Sequence, residues 1–208
     1  MEIILATSNP KKVKEMNAIM GGMDVRFRLL SEFPNAPEII EDGLTFESNA
    51  LKKARVIFQH TGMMTLADDS GIEVDALGGK PGVFSARYAG PGHDDRANLE
   101  KLLRDTEHVP DEKRIARFQC VIALVWSEGG DILEKTFLGV MEGVLLRAPR
   151  GVHGFGYDPI FGVPQYGKSA AELDPELKNK ISHRGRALEQ FKAFFDKEFS
   201  KIKINDIK

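Results

Sequence analysis

A mixed α/β fold is predicted by three features of this 208-residue chain. An apolar run at residues 2–6 feeds straight into a capped helix start, the strand-to-helix step from which α/β proteins are built. A second apolar run, Met63 to Ala67, breaks at Asp68-Asp69-Ser70-Gly71, so two carboxylates and a hydroxyl are expected where a strand ends and turns. Finally, two apolar stretches on either side of Glu128-Gly129-Gly130-Asp131 read as antiparallel partners, which makes the sheet mixed.

In order, Glu2 to Ala6 reads as a buried strand, and Asn9 as the N-cap of a helix with Pro10 at its first position. Val13, Met16 and Met20 form the apolar side of that helix. Val25 to Leu30 fits a second strand, and Pro34 to Gly43 an acidic loop carrying Glu38, Glu41 and Asp42. Thr45 is placed to cap a helix reaching about His60, with Phe46, Ala50, Ala54 and Ile57 on its apolar side and Asn49 and Lys53 on a neighbouring face. After the acidic corner, the glycines and Pro81 of residues 78–90 predict tight turns or close approach to a ligand. Asp94 to Arg104 reads as a helix, and Arg117 to Trp126 as a strand covered on both faces. Ile132 to Val140 and Val144 to Arg147 read as further strands, and Gly151 to Phe161 as a glycine-interrupted loop with aromatics. A helical segment from Asp174 carries Lys178 and Lys180 up to Ser182-His183-Arg184. The last helix has Leu188, Phe191, Phe194 and Phe195 as packing residues, and residues 200–208 read as a frayed tail.

Composition narrows the function. A chain of this length buries about 70% of its unfolded surface without staples, and the single Cys120 has no partner for a disulfide or a CxxC site, which fits a reducing compartment. The opening MEIILATSNP matches neither a signal peptide nor a membrane span, so a cytoplasmic location is expected, with no membrane partner. A net charge of -2 offers no general attraction to nucleic acid, and any polyanion must meet local basic clusters.

Such clusters are present. The helix start after Asn9 combines its dipole and backbone N–H groups with Lys11 and Lys12, a phosphate cradle or else a solvated helix end. The Asp68-Asp69 corner is either a polar turn or a place where a carboxylate holds a divalent cation or takes a proton from water. The aromatics of residues 155–161 stack on a base or tuck into the core. No Walker A loop, GxGxxG, zinc spacing or GxSxG is present. Together the segments point to a nucleotide with its phosphates and a magnesium ion.

Five motifs in order, TSNPKK at residues 7–12, TFESNALKKA at 45–54, LADDSGIEVDALGGKPGVFSARYAG at 66–90, GFGYDPIF at 154–161 and SHRGRA at 182–187, resemble those of the inosine triphosphate pyrophosphatase family. Its bacterial members act on non-standard purine nucleotides. The resemblance spans about residues 1–198. It implies an elongated mixed sheet flanked by helices, two lobes with a central nucleotide cleft, in a single domain over residues 1–199, usually as a homodimer. It implies Mg²⁺-dependent hydrolysis of ITP, dITP and XTP to the monophosphate and pyrophosphate. By the same resemblance Asp69 is the proton acceptor, and Glu41 and Asp69 match the magnesium positions, with Glu38 and Asp42 as alternatives to Glu41. Thr7, Ser8, Asn9, Pro10, Lys11, Lys12 and Ser70 match substrate contacts, and Phe155, Gly156, Tyr157, Asp158, Lys178, His183 and Arg184 match nucleoside-binding positions. Lys53 is expected to face the phosphates. A Maf-like pyrophosphatase would lack the SHR and GFGYDP motifs. A non-catalytic nucleotide- or RNA-binding module would use the bases between Lys178 and Arg186 without magnesium-dependent turnover.

Overall fold

The structure, a computed structural model, describes residues 1–199; the expected tail at 200–208 lies outside the described residues. Among the described residues five α-helices and seven strands follow in the order β1 (Glu2–Leu5), α1 (Pro10–Ile19), β2 (Arg26–Leu29), α2 (Phe46–Thr61), β3 (Thr65–Val74), α3 (Asp95–Asp105), β4 (Ile115–Glu128), β5 (Asp131–Leu145), β6 (Phe161–Val163), β7 (Lys168–Ser169), α4 (Pro175–Ile181) and α5 (His183–Phe199). They form one sheet in the order β2-β1-β3-β4-β5-β6-β7. β1 pairs in parallel with β2 and β3, and every later pairing is antiparallel, so the sheet is mixed as expected.

Both helix starts obey local chemistry. The Asn9 side chain accepts from the backbone N–H groups of Lys11 and Lys12, and the Thr45 side chain accepts from that of Ser48, each satisfying donors that a helix leaves open at its first turn. α2 closes on Gly62, whose φ of 68° is the left-handed cap that glycine adopts at least cost.

Two expectations need correction. β3 does not end at Asp68: it runs through Asp68, Asp69, Ser70 and Gly71 to Val74, paired residue by residue with β4. The polar residues looked like a turn, but the ladder to β4 satisfies their backbone and tertiary partners satisfy their side chains. Likewise β5 is one strand of 15 residues rather than two segments, because Met141 to Gly143 stay in register with β4.

Alternating side chains sort the sheet into two covered faces. Ile3, Leu5, Leu66, Ile122 and Leu124 pack with α1 and α5, while Ile4, Ala6, Ala67, Val121, Ala123 and Val125 pack with α2. Further along the same long strands a third cluster gathers Ile72, Val74, Ala116, Phe118, Met141 and Leu145 with Leu99 and Leu102 of α3. Along β3, Asp68, Asp69 and Ser70 therefore fall between Leu66 and Ala67 of the first two clusters and Ile72 of the third. α5 lies so close to β5 that a Cβ on Gly139 would strike the His183 carbonyl oxygen and come within 2.6 Å of the Ala187 nitrogen. Gly139→Ala is expected to cost about 1–3 kcal/mol by forcing helix and strand apart, measured by urea unfolding; an unchanged midpoint would show that the contact yields freely.

Candidate active site

The mid-β3 carboxylates are buried, and each is met by cations from different helices. Lys12 Nζ from α1 lies 2.9 Å from Asp68 Oδ1, and Arg184 from the first turn of α5 donates to Asp68 Oδ2 at 3.0 and 3.2 Å. Cys120, the free cysteine, is buried as a small hydrophobe with its Sγ 3.7 Å from the same oxygen. Burial opposes charge on Asp68, yet Lys12 and then Arg184 and Lys53 hold its pKa well below the ordinary carboxylate range.

Asp69 faces the other way, as the pleat requires. Its Oδ1 lies 3.2 Å from Lys53 Nζ, and its Oδ2 accepts from Asn49 Nδ2 at 3.2 Å, both groups coming from the buried face of α2. Lys53 Nζ also donates to Glu41 Oε1 at 2.8 Å, so one ammonium joins the two carboxylates. Of the three acidic loop residues, Glu41 is thereby the one brought to Asp69; Asp42 pairs with Lys52 and Glu38 is exposed. Burial raises the Asp69 pKa despite Lys53 and Lys12, whereas for Glu41 the charges of Lys53, Lys12 and Arg87 outweigh burial and lower it. Two neighbouring carboxyls pushed in opposite directions make one the better proton acceptor and the other the steadier anion.

Among the described residues no group of three or more His, Cys, Asp and Glu gathers closely enough to hold a metal ion by itself. The donor set of Glu41 and Asp69 nevertheless suits magnesium: both are hard oxygen ligands, and Mg²⁺ is commonly held by one or two carboxylates together with substrate phosphates.

The second half of the site is the loop after residue 150. Gly154 and Gly156 take φ values of 75° and 61°, which lets the chain fold back so that Asp158 accepts from the Phe155 N–H at 2.7 Å. Buried Asp158 also receives Lys178 Nζ at 2.6 Å. The Phe155 ring then lies 5.5 to 5.8 Å from Lys178, Lys11 and Arg184, in cation–π range of all three. Tyr157 by contrast is buried in the third apolar cluster and donates to the Ser85 carbonyl. Ser70 accepts from Arg184 at 2.9 Å.

His183 stacks on Phe118 with centroids 4.7 Å apart, and its Nδ1 has no hydrogen-bond partner among the described residues. Burial first, and then the charges of Arg184 and Lys178, push its pKa well below 6.5. The folded protein thus keeps His183 neutral while the unfolded chain takes up a proton below that pH, so this contribution to stability is present above 6.5 and lost on acidification. We expect the stability advantage of wild type over His183→Gln to shrink between pH 7 and 5, with a limiting slope of about 1.4 kcal/mol per pH unit. Parallel denaturation curves at every pH would refute this.

Two carboxylates at the site were not singled out by the sequence. Glu15 of α1 bridges Lys178, at 2.8 Å, and Arg184. Its signal was visible: an acid one turn after Lys11 and Lys12 lies on the same helix face. Asp95 takes the exposed Lys11 at 2.6 Å and accepts from the Gly156 N–H at 3.3 Å. Only the folded arrangement could show that, since 84 residues separate Lys11 from Asp95. Ser8 and Pro10 lie at the rim and make no side-chain contact that organises the site, while the Thr7 hydroxyl accepts from the Asn9 N–H at 3.2 Å.

A buried acidic strand ringed by lysines and an arginine lies beside a glycine-hinged aromatic loop, and curated relatives named as pyrophosphatases place the chain among the hydrolases of phosphoric anhydrides. The sequence pattern of the Ham1 family matches residues 3–194, and the chain belongs to that family. A dITP/XTP pyrophosphatase of Geobacter sulfurreducens is 53% identical over 186 residues, covering 89% of this chain and 92% of that protein. A HAM1 protein from Coxiella burnetii superposes with a TM-score of 0.86 at 46% identity, over 95% of this chain and 99% of its own. The Staphylococcus aureus Ham1 protein gives 0.84 at 39% identity, over 95% and 100%. No helix among the described residues is long and apolar enough to cross a membrane.

Proposed function

We propose that this chain hydrolyses the non-standard purine nucleoside triphosphates ITP, dITP and XTP to the monophosphate and pyrophosphate, with Mg²⁺, as a cytoplasmic homodimer whose residues 1–199 form one two-lobed domain. The observation that carries the reading is the convergence of Lys12, Lys53, Lys178 and Arg184, from four different helices, on the buried carboxylates of β3 and their neighbours. Burying so many charges is costly even when they are paired, and perturbed ionisable groups of this kind cluster at functional sites.

In this reading the α1 start, Thr7 to Lys12, with Lys53 and Ser70, receives the triphosphate. Asp69 takes the proton of the attacking water. Glu41 and Asp69 would hold the magnesium, which when bound would offset charge on the phosphates. Lys12 and Lys53 meet the charge that grows on the departing pyrophosphate. The loop from Phe155 to Asp158, with Lys178, His183 and Arg184, receives the nucleoside. The placement of the Phe155 ring supports stacking on a base. Donors aimed at a 6-oxo group reject the 6-amino group of ATP, and a polar mismatch of that kind discriminates by about 10⁴.

The test is pyrophosphate release from ITP, XTP, dITP, GTP and ATP, each with magnesium and with chelator. Fast cleavage of the hypoxanthine and xanthine nucleotides only with metal is the expected result. Five inert nucleotides would overturn the reading.

A further inference from the structure

Arg87 differs from the other cations of the cleft. It ends the 3-10 turn Gly82–Arg87 that follows β3, is half-buried, and donates from Nη2 to the main-chain oxygen of Glu41 at 2.9 Å. Its guanidinium stacks 5.2 Å from the Phe84 ring centroid. Lys11, Lys12, Lys53, Lys178 and Arg184 each have a carboxylate partner. Among the described residues Arg87 pairs with none, although its charge reaches Glu41 strongly enough to help lower that carboxyl. A guanidinium carries five N–H donors in a planar fork that matches phosphate. One is spent on the Glu41 oxygen, which fixes the plane, and the rest stay available beside the carboxylates.

We propose that Arg87 is a further substrate-binding residue, donating to the triphosphate oxygens that leave as pyrophosphate. The proposal rests on the pyrophosphatase reading above. In that reaction the water oxygen bonds to the α-phosphorus, the bond from that phosphorus to the bridging oxygen breaks, and its electron pair stays with pyrophosphate. Arg87 moves no proton; it meets the negative charge as it grows. Its tether to Glu41 also ties the loop of residues 34–43 to the turn after β3, so phosphate and metal positions are held by one side chain.

The experiment compares Arg87→Lys with Arg87→Gln in binding of magnesium pyrophosphate and of inosine monophosphate by calorimetry, and in ITP turnover, with circular dichroism melts as a check on folding. Both variants keep a donor for the Glu41 oxygen, and only Lys keeps the charge. Expected is a loss of about 10- to 100-fold in pyrophosphate affinity and in kcat/KM for Gln, with a clearly smaller loss for Lys and nearly unchanged monophosphate affinity. Equal behaviour of the two variants, or equal losses for pyrophosphate and monophosphate, would reduce Arg87 to an anchor for the loop and overturn the proposal. If wild type cleaves ITP and Arg87→Gln matches it, this inference alone fails. If wild type neither cleaves ITP nor binds pyrophosphate, the pyrophosphatase reading fails with it.

Discussion

Asp69→Asn is expected to lower turnover of ITP by about 10²- to 10⁴-fold, the range that a positioned general base contributes, with affinity for the nucleotide close to that of wild type. The substitution is isosteric. The Asn carbonyl still accepts from Asn49 or faces Lys53, so the α2 contacts that hold the side chain survive in part. On the proposed reading, what disappears is the proton-accepting oxygen and one anionic ligand for magnesium. Pyrophosphate release under saturating ITP, paired with calorimetric nucleotide binding, separates the two effects. Turnover within a few-fold of wild type would remove Asp69 from the chemistry.

Asp68→Ala should act on the fold instead. Asp68 is the shared partner of Lys12 and Arg184, and Arg184 is among the largest fully buried side chains of the molecule. Truncating the carboxylate leaves a buried guanidinium with Glu15 and Ser70 as its remaining partners. Breaking one side of a buried pair costs about 3–5 kcal/mol, and urea unfolding would read it as a lower midpoint with an unchanged slope. A loss below about 1 kcal/mol would mean that Glu15 and Ser70 suffice to satisfy Arg184. The adjacent positions thus separate experimentally: position 68 is expected to govern stability and position 69 turnover.

That separation was not legible in the chain. Two neighbouring aspartates look alike in sequence, and the run Asp68 to Gly71 has the composition of a turn. The pleat sends their side chains to opposite faces, one toward α1 and α5 and the other toward α2, and so gives them different partners. The long-range pairs show the same limit. Glu15 with Lys178 and Arg184, Asp95 with Lys11, and Arg87 with Glu41 are separated by 163, 169, 84 and 46 residues respectively, and no local pattern encodes them.

What the sequence determined by itself were the local features: the Asn9 and Thr45 caps, the apolar faces of α2 and α5, the doubly covered β4, and the glycines that hinge the Phe155 loop. Each depends on neighbours within a few residues, where propensity and periodicity act. The ordered motifs carried the family as well. Only the tertiary structure decided that β3 continues through its charges, that Glu41 rather than Glu38 or Asp42 meets Lys53 and through it Asp69, and which carboxylate each buried cation pairs with. Those outcomes follow from packing five helices on one sheet, because which side chains meet in a cleft depends on how distant elements dock.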